Sequence, residues 1–116
     1  MITGTHAILY STDAEADRDF LRDVLGFPHV DAGGGWLIFQ LPPAELGVHP
    51  AEGEPTSELY LMCNDLDATL AELAAKGVQP VGERAEARWG VRAWVALPSG
   101  TRLGLYEPRH PVARGL

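Results

Sequence analysis

The stretch Glu58-Leu59-Tyr60-Leu61-Met62 repeats the pattern of an earlier stretch, His6-Ala7-Ile8-Leu9-Tyr10. Each stretch runs into a short polar break and then into a sequence that is typical of a helix. Successive residues of a strand point to opposite faces of a sheet, so each stretch would have one apolar face and one mixed face that begins with a titratable group. The repeat therefore predicts two similar modules, each of which opens with a strand.

Helix signals follow both stretches. Thr12 and Glu15 have the spacing of a capping box, and Asp65 is a suitable N-cap for a segment in which leucines recur at helical spacing. Gly26 and Gly77 follow these segments, and glycine commonly ends a helix. The sequence thus predicts one helix in each half of the chain.

Three short strands are predicted after each helix. In the first half they cover residues 27–32, 36–41 and 46–49. In the second half they cover residues 78–81, 91–97 and 102–106, with an exposed charged loop over 82–88. The order predicts an α+β domain of two tandem βαβββ modules, which are residues 1–50 and 58–108, with a linker over 51–57 and a tail over 109–116. Side by side, the modules would form a curved, cup-shaped mixed sheet with the helices on its outer face.

The overall charge limits the possible partners. The chain of 116 residues is long enough for one domain with a real core, and its formal net charge is −7. Proteins that bind nucleic acid normally carry a basic surface, so no nucleic-acid partner is expected. An acidic surface is compatible with ordinary solubility or with a cationic ligand.

The chain has a single cysteine, Cys63, which excludes an intrachain disulfide and fits a reducing compartment. Cys63 would point to the same face of the strand as Leu59 and Leu61, which predicts a small core residue rather than a nucleophile. No signal peptide is evident and no apolar run approaches membrane-spanning length. We therefore expect a cytoplasmic protein without a membrane partner.

The doubled pattern and several short motifs resemble the vicinal oxygen chelate superfamily, which includes glyoxalase I, extradiol dioxygenases, fosfomycin-resistance enzymes and bleomycin-binding proteins. The resemblance covers nearly the whole chain. Its motifs are His6 at the start of the first strand, the stretches 20–27 and 65–67, Trp89-Gly90-Val91-Arg92, and the closing stretch 97–108. The resemblance implies the fold of this superfamily but does not identify one reaction, because the superfamily catalyses many.

The resemblance also implies where a metal ion would bind. The metal enzymes of the superfamily have ligands at four cup-facing positions, which correspond here to His6, Gly47, Glu58 and Gly104. The two glycines offer no side chain, so the usual set is incomplete. His49 faces the same way as Gly47, and His6, His49 and Glu58 would form a two-histidine, one-carboxylate set for a divalent ion such as Fe, Mn, Zn or Ni. Because residues two apart on a strand are separated by about 6.6 Å, this set requires a bulge or a bend.

The two glycines also have a second interpretation, in which they leave room for a ligand and no metal is bound. Five large side chains share the cup-facing phase and are predicted ligand contacts: Tyr10, Tyr60, Met62, Trp94 and Tyr106. Clefts with aromatic walls and a few polar groups are typical of small-molecule sites. His6 and Glu58 would then form a polar pair that either performs acid–base catalysis or simply ties the two halves together.

Three functions therefore stay open. The protein is a metal-dependent lyase, isomerase or dioxygenase that stabilises an enolate-like state of a small oxygenated substrate; a metal-free protein that sequesters a small aromatic or cationic compound; or a metal-free acid–base enzyme that uses His6 and Glu58. The resemblance implies a homodimer in each case, and a βαβββ module leaves a sheet edge that needs a partner strand.

Overall fold

The computed structural model describes residues 6–48 and 50–113. In these residues the elements are α1 Ala14–Asp23, β1 His29–Asp31, β2 Leu37–Phe39, β3 Tyr60–Met62, α2 Leu66–Ala75, β4 Ala85–Ala87, β5 Gly90–Ala96 and β6 Arg102–Pro108. The first two strands form an antiparallel hairpin, and the other four form a sheet in the order β3-β6-β5-β4. β3 is parallel to β6 and the remaining pairs are antiparallel, so the predicted α+β class with a mixed sheet is confirmed.

The second half of the chain forms a βαβββ module, in which the strand after the helix is β4 rather than the predicted residues 78–81. The side chain of Asp65 caps α2 by accepting a hydrogen bond of 3.1 Å from the backbone N–H of Ala68. Leu66 and Leu73 of α2 are buried against one face of the sheet. The buried sheet residues on that face are Val91, Ala93, Val95, Leu103 and Leu105. Each large side chain removed from water here stabilises the fold by about 1.5–3 kcal/mol.

Helix α1 joins the first half to the core of the second. Asp13 is its N-cap, because the Asp13 carboxylate accepts a 3.2 Å hydrogen bond from the backbone N–H of Ala16. The capping-box spacing had assigned this role to Thr12, one residue earlier. Phe20 is buried in the same cluster as the α2 leucines. Gly26 follows the end of α1 with φ of 69°, a conformation that glycine adopts without strain.

Two strands that were predicted in the first half are absent. Residues 6–10 and 46–48 form no strand and are largely exposed, with Tyr10 at 89% and Val48 at 92% of their full accessibility. A strand is stable only when a neighbour pairs with its backbone, and no described segment pairs with either stretch. The prediction of strands was therefore wrong for residues 6–10 and 46–48, and the cup shape expected from pairing of the two halves stays a prediction. Thr5 and His49, at the ends of the predicted strands, lie outside the described residues.

The second half differs from the prediction at one edge. Residues 78–81 contribute only a single bridge, from Pro80 to Val95, because proline has no N–H with which to continue a strand. The predicted loop over 82–88 contains β4, in which Ala85 pairs with Arg92 of β5. Neither helix in the described part of the chain is long and apolar enough to cross a membrane.

Candidate functional site

The four-stranded sheet has one face covered by the helices and one face free of them, which we call the open face. Pairing between β3, β6 and β5 places two rows of three residues across the open face: Tyr60, Gly104 and Trp94 in one row, and Met62, Tyr106 and Arg92 in the other. Directly facing residues on neighbouring strands are about 5 Å apart, so each row is continuous. The structure thus brings together four of the five predicted ligand contacts. Tyr10, the fifth, lies outside the sheet and is exposed.

The aromatic rings of the open face contact one another. The ring centroid of Tyr60 lies 6.5 Å from that of Trp94 and 6.1 Å from that of Tyr106, and Tyr106 lies 5.5 Å from Trp89. The Tyr106 hydroxyl also donates a 2.8 Å hydrogen bond to the carbonyl oxygen of Trp89. Tilted aromatic pairs of this kind each contribute about 0.5–1.5 kcal/mol beyond their buried area. The cluster is therefore held together by ring contacts and a hydrogen bond.

Arg92 lies within this aromatic cluster. Its guanidinium carbon is 4.8 Å from the ring centroid of Trp89 and 5.6 Å from that of Trp94, which are cation–π distances. Its Nη1 donates a 3.2 Å hydrogen bond to the hydroxyl of Tyr60. Trp89 and Arg92 belong to the motif Trp89-Gly90-Val91-Arg92, but neither was predicted as a site residue. The available signal was an arginine that alternates with tryptophan along a buried strand.

Glu58 is joined to the open face through Tyr60. The exposed carboxylate of Glu58 accepts a hydrogen bond from the hydroxyl of Tyr60, whose oxygen in turn accepts the hydrogen bond from Arg92. Burial raises the pKa of Tyr60 and the adjacent Glu58 raises it further, while Arg92 partly opposes this effect. Tyr60 therefore keeps its proton at neutral pH and links a carboxylate to a guanidinium.

His6 is not part of this arrangement. It is exposed, and neither a hydrogen bond nor an ion pair joins it to Glu58, although both residues are described. Residues 6–10 do not join the sheet, so nothing holds the imidazole opposite the carboxylate. The structure does not bring the two predicted catalytic residues together, and their catalytic role stays a prediction.

The described residues do not fit the metal centre that the resemblance implies. Among them, no three His, Cys, Asp or Glu side chains are close enough to hold a metal ion. A Cβ at Gly104, where the superfamily's metal enzymes have a carboxylate, would lie 2.7 Å from Cε1 of Tyr60. The ring of Tyr60 therefore fills the space that such a ligand needs. The alternative set of His6, His49 and Glu58 stays a prediction, because His49 lies outside the described residues.

Comparison with known protein families identifies the group to which this fold and this face belong. Residues 5–105 match the family model of the Glyoxalase/Bleomycin resistance protein/Dioxygenase superfamily. The chain belongs to this superfamily. The match includes both halves of the chain and confirms the resemblance to the vicinal oxygen chelate proteins.

Members and structural neighbours of the superfamily show how varied its functions are. An iron-dependent extradiol dioxygenase of Rhodococcus jostii is 40% identical over 68 residues, which are 59% of this chain and 20% of that enzyme. The chain thus spans about one fifth of this curated relative. Lactoylglutathione lyase from Agrobacterium tumefaciens superposes with a TM-score of 0.61 at 20% identity and covers 90% of this chain and 95% of its own.

A third similar protein is TnmS3, an antibiotic binding protein from Streptomyces sp. CB03234. It superposes with a TM-score of 0.55 at 24% identity, and the alignment covers 93% of this chain and 99% of that one. At these identities the two structural likenesses show the superfamily fold and do not show an activity.

Proposed function

We propose that this superfamily protein binds and sequesters a small aromatic molecule on its open face, without a metal ion. The observation that carries the proposal is the position of the Tyr60 ring over Gly104. The residue that would supply a metal ligand is absent, and its space is used to extend an aromatic wall. The same face is therefore poorly suited to chelation and well suited to stacking.

The open face is partly accessible to solvent. Tyr60, Trp94, Met62 and Arg92 are half-buried, and Trp89 is 40% exposed. Tyr106 is buried, at 8% exposure, and the rings of Tyr60, Trp89 and Trp94 around it leave apolar surface exposed, which typically marks an interaction site. A flat aromatic ligand would cover that area, and the tilted rings offer it both faces and edges. One solved neighbour with this fold, TnmS3, is an antibiotic binding protein, which supports a binding role.

Calorimetric titration with 1-naphthol, a small aromatic probe, tests the proposal. We expect saturable binding that Trp94→Ala weakens about two- to tenfold, in line with the loss of one aromatic contact of about 0.5–1.5 kcal/mol. Trp36→Ala is the matched control, because Trp36 is 63% exposed and lies next to the β1–β2 hairpin, away from the open face. We expect EDTA to leave the affinity unchanged. Equal binding by the Trp94 variant, or loss of binding in EDTA, would contradict the proposal.

A metal-dependent lyase, isomerase or dioxygenase is the second candidate. The observation that favours it is the 40% identity to an iron-dependent extradiol dioxygenase. In this case His6, His49 and Glu58 would hold a divalent ion, with the metal polarising substrate oxygens. Elemental analysis of the purified protein distinguishes the candidates: one equivalent of metal per chain, lost in His6→Ala, would favour the enzyme. A metal-free acid–base enzyme that uses His6 and Glu58 would instead show turnover that both His6→Ala and Glu58→Gln abolish.

We also propose that the protein is a homodimer in which a second copy covers the first half of the chain. Ile8, Leu46 and Val48 are 62%, 90% and 92% exposed, which leaves large aliphatic side chains of the first half in contact with solvent. The radius of gyration is 15.1 Å, whereas a compact domain of this length would have about 13 Å. Among the described strands, β3 lies at the end of the sheet, and no described strand pairs with its outer edge, which a strand from a second copy would complete.

Light scattering coupled to size-exclusion chromatography tests this assembly. We expect a dimer at micromolar concentration and a shift toward monomer in Val48→Asp, because burying a carboxylate in an apolar interface is unfavourable. Val112→Asp is the control, because Val112 is 41% exposed near the end of the chain. A monodisperse wild-type monomer would contradict the proposal.

We further propose a cytoplasmic location. Cys63 is the chain's single cysteine and forms no intrachain disulfide, which supports a reducing compartment. Fractionation of the producing cells tests this location, and recovery of the protein in the extracellular fraction would contradict it.

A further inference from the structure

We infer that the molecule bound on the open face carries an anionic group, of the carboxylate class, and that Arg92 recognises it. This inference rests on the proposed binding function and specifies its ligand. An aromatic carboxylate would place its ring against the tryptophan and tyrosine side chains and its oxygens against the guanidinium.

The first observation is that the charge of Arg92 is not neutralised by a direct partner. A guanidinium has five N–H donors, and within the described chain only Nη1 of Arg92 makes a hydrogen bond, to the neutral hydroxyl of Tyr60. The Nε atom is buried and has no hydrogen-bond partner there. A buried donor without a partner destabilises a protein by about 1–3 kcal/mol. An oxyanion that approaches the guanidinium offers acceptors to donors that the protein leaves free.

The second observation is that the nearby carboxylates already have other partners. Glu58 accepts a hydrogen bond from the Tyr60 hydroxyl, and Glu45 lies 3.7 Å from the imidazole of His110, beside Tyr106. Neither forms an ion pair with Arg92 in the part of the chain that the structure describes. The position for a direct counterion to Arg92 is therefore open to a ligand.

The third observation is the way in which the guanidinium is held. The indole rings of Trp89 and Trp94 both lie within cation–π distance of it. Arginine binds carboxylates through two parallel hydrogen bonds, and a guanidinium restrained by aromatic neighbours loses little further entropy when it does so. A rigid cation beside a flat aromatic surface matches a rigid anion attached to an aromatic ring.

The positive charge of Arg92 is opposite in sign to the net charge of the whole molecule. The net charge of −7 had suggested a cationic ligand. At physiological ionic strength, however, exposed charges are screened beyond about 8 Å. A group in direct contact with a half-buried guanidinium is much less screened, and charge-assisted hydrogen bonds are about twice as strong as neutral ones. The contact with Arg92 therefore decides the sign of the ligand's charge.

Three probes of one shape test the inference: 1-naphthoate, 1-naphthamide and 1-naphthylmethylammonium, titrated calorimetrically in 150 mM salt. We expect the full-length protein to bind naphthoate at least tenfold more tightly than the amide, and the ammonium compound most weakly. Arg92→Met should remove the preference for naphthoate and change the affinity for the amide less than about threefold. Arg22→Met is the control, because Arg22 is exposed on α1, on the opposite side of the sheet, and it should keep the preference.

The outcomes separate the inference from the proposed function. Equal affinity of the wild-type protein for naphthoate and naphthamide would overturn the inference and leave aromatic binding intact. A preference for naphthoate that persists in Arg92→Met would also overturn it. No binding of any probe would overturn both. Arg92→Lys keeps the charge without the forked donors, and an intermediate preference is expected there, so the test does not depend on the folding of the methionine variant.

Discussion

The ring of Tyr60 lies against the backbone of Gly104, in the space that a side chain at position 104 would occupy. A Cβ at that position would be 2.7 Å from Cε1 of Tyr60 and 3.4 Å from the carbonyl oxygen of Leu59. Tyr60 and Gly104 face each other in the parallel pairing of β3 and β6. One glycine thus allows a tyrosine to form the floor of the open face, and the same contact excludes the carboxylate of a metal enzyme.

Gly104→Ala should lower the free energy of unfolding by about 1–3 kcal/mol, because the added methyl group overpacks against the ring of Tyr60. Urea unfolding measures the change. Gly47→Ala is the control, since no described atom lies within 4 Å of a Cβ at Gly47. In a Tyr60→Ala background the effect of Gly104→Ala should nearly disappear. The same loss in both backgrounds would show that the two residues are not coupled.

Asp17 should make the stability depend on pH. It is 5% exposed and accepts hydrogen bonds of 3.0 Å from the backbone N–H and 2.7 Å from the hydroxyl of Ser99, which attach α1 to the turn between β5 and β6. Burial alone would raise the pKa of Asp17, but hydrogen bonds from Ser11 and Ser99 outweigh it and hold the pKa below its ordinary value of 3.8.

Because the pKa of Asp17 is lower in the folded state, its contribution is complete above pH 3.8 and is lost as the pH falls from there through the folded pKa. Urea unfolding at a series of pH values should therefore show stability falling in this acidic range. Asp17→Asn should reduce the slope and lower the stability at pH 7 by about 1–3 kcal/mol. Asp19→Asn, on the exposed side of the same helix, should retain the wild-type slope. An unchanged slope in Asp17→Asn would contradict this account.

Glu107 should stabilise the start of α2. Its Oε1 accepts a 2.8 Å hydrogen bond from the backbone N–H of Leu66, the first residue of the helix and a fully buried one. Carboxylates at a helix N-terminus interact favourably with its free N–H groups. Glu107→Ala should lower the free energy of unfolding by about 1–2 kcal/mol, and Glu107→Gln by less. Glu83→Ala, at an exposed position before β4, is the control. A loss no larger than that of Glu83→Ala would contradict the role.

Cys63 should react slowly with alkylating reagents. It is half-buried beside the core, and this burial raises the pKa of its thiol above the ordinary value of 9.0. Since only the thiolate reacts, alkylation by iodoacetamide at pH 7.5 should be about tenfold slower in the native protein than in urea. Glu52→Cys in a Cys63→Ala background provides an exposed thiol for comparison. Equal rates at the two positions would show that Cys63 is accessible.

The differences between prediction and structure follow from the range of the interactions involved. The N-cap role of Asp65 and the glycines after both helices depend on a few neighbouring residues, so they could be predicted from the sequence. The strand expected over residues 6–10 required a partner strand elsewhere, and a local pattern of alternating residues cannot supply one. The same alternation is present in residues 58–62, where pairing with β6 makes it a real strand over Tyr60–Met62.

The sequence by itself determined the superfamily, the two helices, the module of the second half, and the common face of Tyr60, Met62, Trp94 and Tyr106. The superfamily was indicated by the resemblance of several short motifs, whereas the helices and the common face follow from local periodicity, since side chains alternate along a strand by simple geometry. Only the tertiary structure decided that Arg92 lies between two indole rings and that the ring of Tyr60 covers Gly104. Both contacts depend on the register between strands that are far apart in the chain, and register is determined by the packing of the whole sheet.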